Sequence, residues 1–156
     1  MSLRVGIGVD AHALVEGVPL VLGGVRIEHP WGLAGHSDGD VLAHALIDAV
    51  LGAAGLGDIG SLFPSGDERF RGADSLDLLQ EAYRQTQDEG WTLVNADCVL
   101  VGEEPRIAPH REEMRQRLSA AVGGGDVNVR ATTTDGLGFT GRGEGLAAHA
   151  VALLQR

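Results

Sequence analysis

Apolar and polar residues alternate along the amino-terminal part of the chain in a pattern that predicts extended structure. Apolar side chains recur at every second position in residues 3–9, which predicts a first β-strand over residues 5–9. Two short apolar runs, residues 19–22 and 25–27, flank the pair Gly23-Gly24. This arrangement predicts a β-hairpin closed by a tight glycine turn.

Further along the chain, strand patterns alternate with helical ones. Residues 91–101 are rich in β-branched side chains, and apolar and polar residues alternate over 127–131, so both segments are predicted strands. Residues 31–39 and 57–73 show no periodicity and are predicted loops, the longer of which is a candidate lid. Capping residues, apolar spacing and small residues predict four helices, over residues 41–54, 75–90, 109–122 and 146–154.

Strands interleaved with helices are typical of an α/β or α+β layer. We expect an α+β fold in which helices pack on a mixed sheet of about four strands, accompanied by the hairpin. The 156 residues suit a single domain over residues 1–156, and no internal repeat is evident.

Composition excludes several partners. All twelve basic residues are arginine, the net charge is −10 and no long basic patch occurs, so binding to nucleic acid or to an anionic membrane is not expected. No apolar run reaches transmembrane length and no leader precedes the first strand, which predicts a soluble, cytoplasmic protein.

Cys98 lies in an apolar run and is predicted to be a buried structural thiol. Phosphates of a substrate would be neutralised by metal ions, backbone N–H groups and arginines.

Asp10 and His12 lie two residues apart at the end of the first predicted strand, so both side chains point to one face. His44 lies on the first predicted helix. Two imidazoles and a carboxylate form a set that zinc accepts, with the fourth position left for substrate. Asp40 and Asp48, one turn before and after His44, are candidate acceptors for its second N–H. The alternatives are a chance Asp-x-His pair, a plain core or surface histidine, an N-cap role for Asp40 and a solvated Asp48.

Motifs across nearly the whole chain resemble those of the 2-C-methyl-D-erythritol 2,4-cyclodiphosphate synthase family. The matching segments are Asp10–His12, Leu22–Ile27, His36–Val41, His44–Leu46, Leu51–Ala54, Gly57–Gly60, Leu62–Pro64, Gly72–Ser75, Val127–Val129, Ala131–Thr134 and Leu137–Gly145. The resemblance implies a homotrimer with sites between neighbouring subunits. It also implies cyclisation of 4-diphosphocytidyl-2-C-methyl-D-erythritol 2-phosphate, with release of CMP.

The resemblance also implies a role for each matching residue. Asp10, His12 and His44 would hold zinc, with a β-phosphate oxygen as fourth ligand, while His36 and Thr133 would be catalytic. The implied substrate-binding residues are Asp10, His12, His36 and Ser37 at the phosphate or diol; Asp58, Ile59 and Gly60 at the hydroxyls; Phe63, Pro64, Ser65, Gly66 and Asp67 in a flexible cover; Gly102, Pro105 and Ala108 at the cytidine; Thr132, Thr133, Thr134 and Asp135 at the phosphates; and Phe139 and Arg142 at the trimer axis and phosphate end.

One position departs from the family pattern. Where the family has Thr-Thr-Thr-Glu-Lys, this chain has Asp135 and Gly136 after the threonines. The resemblance implies that this carboxylate helps to hold Mg²⁺ or Mn²⁺ at the substrate diphosphate. Because the aspartate arm is one methylene shorter, we expect a retained but weaker second metal site.

Two other functions are compatible with the same ligand set. A zinc phosphodiesterase would use metal-bound hydroxide in place of the internal phosphate nucleophile. A non-catalytic trimeric module would bind nucleotides or isoprenoid phosphates without turnover.

Overall fold

A mixed five-stranded sheet is the framework of the computed structural model, which describes residues 1–156. The strands are β1 (Leu3–Glu16), β2 (Leu20–Leu22), β3 (Val25–Ile27), β4 (Trp31–Leu33), β5 (Thr92–Val101), β6 (Asp126–Thr132) and β7 (Gly145–Gln155). The helices are α1 (Val41–Ala54), α2 (Ile59–Leu62), α3 (Ser75–Asp88), α4 (Arg111–Ala121) and α5 (Gly138–Gly141), with 3₁₀ turns at Glu68–Phe70 and Ala108–His110. The sheet order is β4-β1-β7-β5-β6, and only β5 and β6 run parallel. Strands β2 and β3 form a separate hairpin.

Several predicted elements are confirmed. Helix α1 has the predicted bounds because Asp40 caps its first turn and Gly55, in the left-handed conformation, ends it. Helix α3 begins after the N-cap Asp74, as predicted. The hairpin of β2 and β3 also forms as predicted, and Cys98 is buried.

The prediction of a helix over residues 146–154 is wrong, because this segment is strand β7. It lies between β1 and β5 and pairs antiparallel with both. Alanine and leucine favour helices in isolation. Here the alternate residues Ala148, Ala150 and Ala152 are buried under α1, and only small side chains leave room for the helix. Tertiary packing therefore overrides the local propensity.

Two predicted loops contain regular structure, and the sheet has five strands where about four were predicted. Residues 31–33 form β4, which pairs with residues 14–16 of β1. Residues 57–73 contain α2 and a 3₁₀ turn. Each of these elements has only three or four residues, too few to show a periodicity in the sequence.

Two glycines let α1 lie unusually close to β1. A Cβ atom at Gly8 would lie 1.8 Å from the carbonyl oxygen of Ala45, and one at Gly6 would lie 2.0 Å from that of Ala49. No other residue fits such an approach. The close contact brings His44, beside Ala45, to the face of β1 that carries Asp10.

The opposite face of β1 is exposed and apolar. The even-numbered residues Gly6 and Gly8 face α1, whereas Val5 (70% exposed), Ile7 (66%) and Val9 (54%) face outward. Val151, paired with Ile7 on β7, is also exposed. We call these four residues the outer patch. None of the helices combines the length and the apolar character that crossing a bilayer requires.

Candidate functional site

Asp10, His12 and His44 form a compact donor cluster where α1 crosses β1. The Asp10 Oδ2 atom is 3.0 Å from His12 Nε2 and 3.0 Å from His44 Nδ1, and these two nitrogens are 3.3 Å apart. A set of ligand atoms, one from each residue, lies within 4.8 Å of one another. Three convergent donors in this space can share one divalent cation.

Both imidazoles have protein neighbours besides Asp10. The backbone of Ala34 lies beside His12 and helps to raise the pKa of that imidazole. His44 Nε2 is 2.8 Å from Ser75 Oγ and 3.0 Å from Ser37 Oγ. Such partners fix the orientation of ligating histidines in metal sites. The near nitrogens therefore face the same space as Asp10.

Neither aspartate predicted to partner His44 does so through its side chain. The Asp40 carboxylate caps α1 at Ala43 and accepts from the backbone N–H groups of Gly23 and Gly24, at 2.9 and 2.8 Å. The N-cap alternative for Asp40 is thus correct, and it also ties the hairpin to α1. Asp48 accepts from Ile59 N at 2.7 Å and ties α2 to α1.

The ionised carboxylate of Asp10 favours a bound cation. Burial alone would raise the pKa of Asp10, but hydrogen bonds from His12 and His44 hold that pKa at about 2. The pKa of His12 is raised, mainly by its hydrogen bond to Asp10. The ionised Asp10 carboxylate supplies negative charge for a cation, which competes with the proton for the His12 nitrogen. The two nitrogens and one oxygen are a donor set that Zn²⁺ accepts.

A pocket opens directly over this cluster. It brings together many of the predicted site residues, and two apolar side chains that the sequence did not single out, Phe70 and Leu78, complete its wall. The pocket is lined by Asp10, His12, His36, Ser37, His44, Ile59, Gly60, Phe63, Pro64, Ser65, Gly66, Phe70 and Leu78.

The segment Phe63–Asp67 borders the pocket, and His36 bonds to its last residue. His36 Nε2 is 2.8 Å from the carbonyl oxygen of Asp67, so the imidazole donates to the backbone of the predicted cover. Asp58 is the N-cap of α2, where it accepts from Ser61 N at 2.8 Å. Its side chain is therefore a capping group, and it is not among the residues that line the pocket, whereas its neighbours Ile59 and Gly60 are.

The remaining predicted site residues form a second group at the ends of the parallel strands β5 and β6. Gly102 N donates to the carbonyl oxygen of Thr132, and Gly136 N donates to Glu103 Oε1. Asp135 adopts a left-handed conformation with φ of 52°, and Thr133 Oγ1 donates to its carboxylate at 3.1 Å. The loop of Pro105 and Ala108 continues from this point, and it precedes α4.

The two groups lie far apart in one chain. Ala11, next to Asp10, is aligned across the sheet with Ala147, Val101 and Thr132. Three strand spacings separate β1 from β6, which amounts to about 14 Å along the sheet. Asp10 and Thr132 therefore do not share a pocket within a single chain.

Phe139 and Arg142 belong to α5 and its carboxyl end. Phe139 is 42% exposed, and the Arg142 guanidinium pairs with Glu144 at 2.8 Å. Arg142 lines a separate cavity together with Glu103 and Trp31, away from the donor cluster.

Sequence reasoning missed the most buried contacts of the cluster. Ser75, which is fully buried, lies against His44 and also bonds to Asp38. Its signals in the sequence were its place at the start of α3 and its membership of the matching segment Gly72–Ser75, and neither carried information about a distant histidine. Phe70 and Leu78 gave no signal beyond being apolar.

Comparisons with known proteins agree with this geometry. A family model described as the YgbB family matches residues 3–155. Proteins named 2-C-methyl-D-erythritol 2,4-cyclodiphosphate synthase are similar over the whole chain. The one from Rubrobacter xylanophilus is 61% identical, covering 98% of this chain and 95% of the relative, and the one from Moorella thermoacetica is 58% identical, covering 97% and 94%. A solved synthase structure in a CDP-bound form superposes with a TM-score of 0.88 at 42% identity, covering 97% of this chain and all of that one.

Proposed function

The chain belongs to the YgbB family and has the 2-C-methyl-D-erythritol 2,4-cyclodiphosphate synthase activity of its relatives, and we propose that it acts through one divalent cation per subunit. Asp10, His12 and His44 hold this cation, with zinc as the preferred ion. The observation that carries the proposal is the convergence of these three donors at the floor of a pocket.

The reaction needs positioning more than proton transfer. An oxygen of the 2-phosphate of 4-diphosphocytidyl-2-C-methyl-D-erythritol 2-phosphate attacks the β-phosphorus, and the bond from that phosphorus to the oxygen of CMP breaks. The attacking phosphate is already ionised, so no base is required. The bound cation supplies charge neutralisation and orientation of the diphosphate.

Different pocket residues bind different parts of the substrate. His36 and Ser37 contact the phosphate or diol part of the substrate. Asp58, with Ile59 and Gly60, binds the methylerythritol hydroxyls, because a carboxylate accepts from paired O–H donors. The segment Phe63–Asp67 covers the substrate, and the bond from His36 to Asp67 supports such a closed position.

The second group of residues takes the nucleotide and its phosphates. Thr132, Thr133 and Thr134 bind phosphate through hydroxyl and backbone N–H groups, with Thr133 stabilising charge in the transition state. Gly102, Pro105 and Ala108 surround the cytidine. The CDP-bound relative supports a cytidine nucleotide as ligand.

A homotrimer would bring both groups onto one substrate. The separation of about 14 Å between Ala11 and Thr132 supports a site that is completed by a neighbouring copy. The outer patch supports the same assembly, because an exposed row of large apolar residues on a sheet marks an interaction surface. Phe139 and Arg142 would lie near the trimer axis.

A second cation at Asp135 is expected to bind weakly. Lengthening the arm in Asp135→Glu should lower the Mg²⁺ concentration for half-maximal activity several-fold, since Mg²⁺ demands near-octahedral geometry that a short arm satisfies poorly. Titration of turnover with Mg²⁺ in the zinc-loaded enzyme measures this. Indistinguishable midpoints for the two proteins would remove the idea.

Product analysis tests the proposed chemistry directly. When the purified protein is incubated with the cytidylyl substrate, phosphorus NMR should show CMP and the cyclic diphosphate in equal amounts. Linear phosphates together with CMP would identify a zinc phosphodiesterase. Binding without any turnover would identify a non-catalytic module. Either of these results would refute cyclisation.

A further inference from the structure

The carboxylate of Asp38 is surrounded by donors. It accepts from the backbone N–H of Asp40 at 3.1 Å and from that of Ser75 at 3.0 Å. The Ser75 hydroxyl also donates to it. An ionised carboxylate only accepts hydrogen bonds, so the single hydroxyl proton of Ser75 is committed to Asp38.

This commitment determines what Ser75 can do on its other side. Its Oγ lies 2.8 Å from His44 Nε2, and with its proton engaged it can only accept. His44 Nε2 must therefore carry a hydrogen. Ser75 is fully buried, so no bulk water competes for this bond.

We propose that Asp38 and Ser75 are positioning residues that hold His44 as its Nε2–H tautomer, so that the Nδ1 lone pair is presented to a divalent cation. This inference rests on the proposed metal role of Asp10, His12 and His44. It assigns to Asp38 and Ser75 the orienting role that a carboxylate partner has for ligating histidines in other proteins.

Asp10 competes with Ser75 for the proton of His44, so the tautomer of His44 must be fixed by its neighbours. Asp10 Oδ2 lies 3.0 Å from His44 Nδ1 and attracts a proton to that nitrogen. An imidazole protonated there has no lone pair for the cation. The hydrogen bonds from Ser75 to Asp38 and from His44 Nε2 to Ser75 oppose this shift of the proton. They keep the Nδ1 lone pair available to the metal.

The same chain of bonds orients the hydroxyl of Ser37. Ser37 Oγ is 3.0 Å from His44 Nε2, and because that nitrogen bears the hydrogen, Ser37 accepts there as well. Its own hydrogen can point to Ser75 Oγ, 3.4 Å away, or into the pocket that Ser37 lines. When a ligand occupies the pocket, Ser37 can therefore donate to one of its anionic oxygens.

Replacement of Ser75 by alanine tests the proposal. We expect the zinc affinity, measured by competition with a chromophoric chelator, to fall by about 10- to 100-fold, the range seen when such orienting partners are removed. In the metal-free protein, nitrogen-15 NMR of His44 at mildly alkaline pH should show the proton moving from Nε2 to Nδ1. Ser75→Thr, which keeps a hydroxyl, should retain the wild-type tautomer.

The matched control is Ser119→Ala. Ser119 is a partly buried serine on α4. Its hydroxyl donates to the carbonyl oxygen of Gly125 at 2.6 Å. Its replacement removes one comparable hydrogen bond away from the cluster and should leave zinc affinity unchanged.

The outcomes separate the two proposals. A loss of zinc affinity smaller than about fivefold in Ser75→Ala, or a loss with the His44 tautomer unchanged, would overturn the positioning role. If the wild-type protein bound no zinc, the metal site itself would fail. The tautomer in metal-free protein would still report on Asp38 and Ser75 alone.

Discussion

Replacing Asp10 by alanine is expected to lower kcat/KM by at least about 10³-fold, because a cation that neutralises transition-state charge contributes several kcal/mol. The variant should also lose the proposed zinc. Without the carboxylate, His12 and His44 form a neutral two-ligand set that competes poorly for the ion. Metal analysis after gel filtration and turnover with the cytidylyl substrate measure the two effects.

A matched control is Asp77→Ala, which removes an exposed carboxylate from the first turn of α3. It should keep both zinc and turnover. His44→Ala should behave as Asp10→Ala does, with little change in the oligomeric state. Full activity in metal-depleted wild-type protein would contradict the proposed role of the cation.

Introducing a charge into the outer patch is expected to have the second large effect. If copies pack on the outer patch as proposed, the carboxylate in Ile7→Glu would be buried between them, where an unpaired charge costs several kcal/mol. The proposed trimer should then dissociate. Turnover should then fall at least about 10²-fold, because the two halves of the site no longer meet. Zinc binding should persist, since Ile7 points away from Asp10.

Analytical ultracentrifugation, zinc binding and turnover on the same samples test this expectation. Gln80→Glu introduces a charge at an exposed position of α3, which packs on α1 and not on the outer patch, and should leave the assembly and activity unchanged. A monomeric wild-type protein with full turnover, or a fully active Ile7→Glu monomer, would exclude sites shared between copies.

The bounds of α1 and part of the donor cluster were accessible from the sequence because they depend on short-range rules. The cap at Asp40 and the glycine at position 55 define the ends of α1 within a few residues of chain. The alternation of a strand places Asp10 and His12 on one face without knowledge of the fold. Only the meeting with His44 required a contact across more than thirty residues. Ligand chemistry suggested it as one alternative, and the resemblance to known motifs strengthened it.

Three features depended on tertiary structure. They are the strand character of β7, the partners of His44 and the division of the site into two groups. Local propensity favours a helix over residues 146–154, and only pairing with β1 and β5 makes this segment a strand. Likewise, Ser75 meets His44 only because α3 packs on α1. Hydrogen bonds and packing between distant segments produce no local pattern in the sequence. Helix capping and strand alternation do produce such patterns.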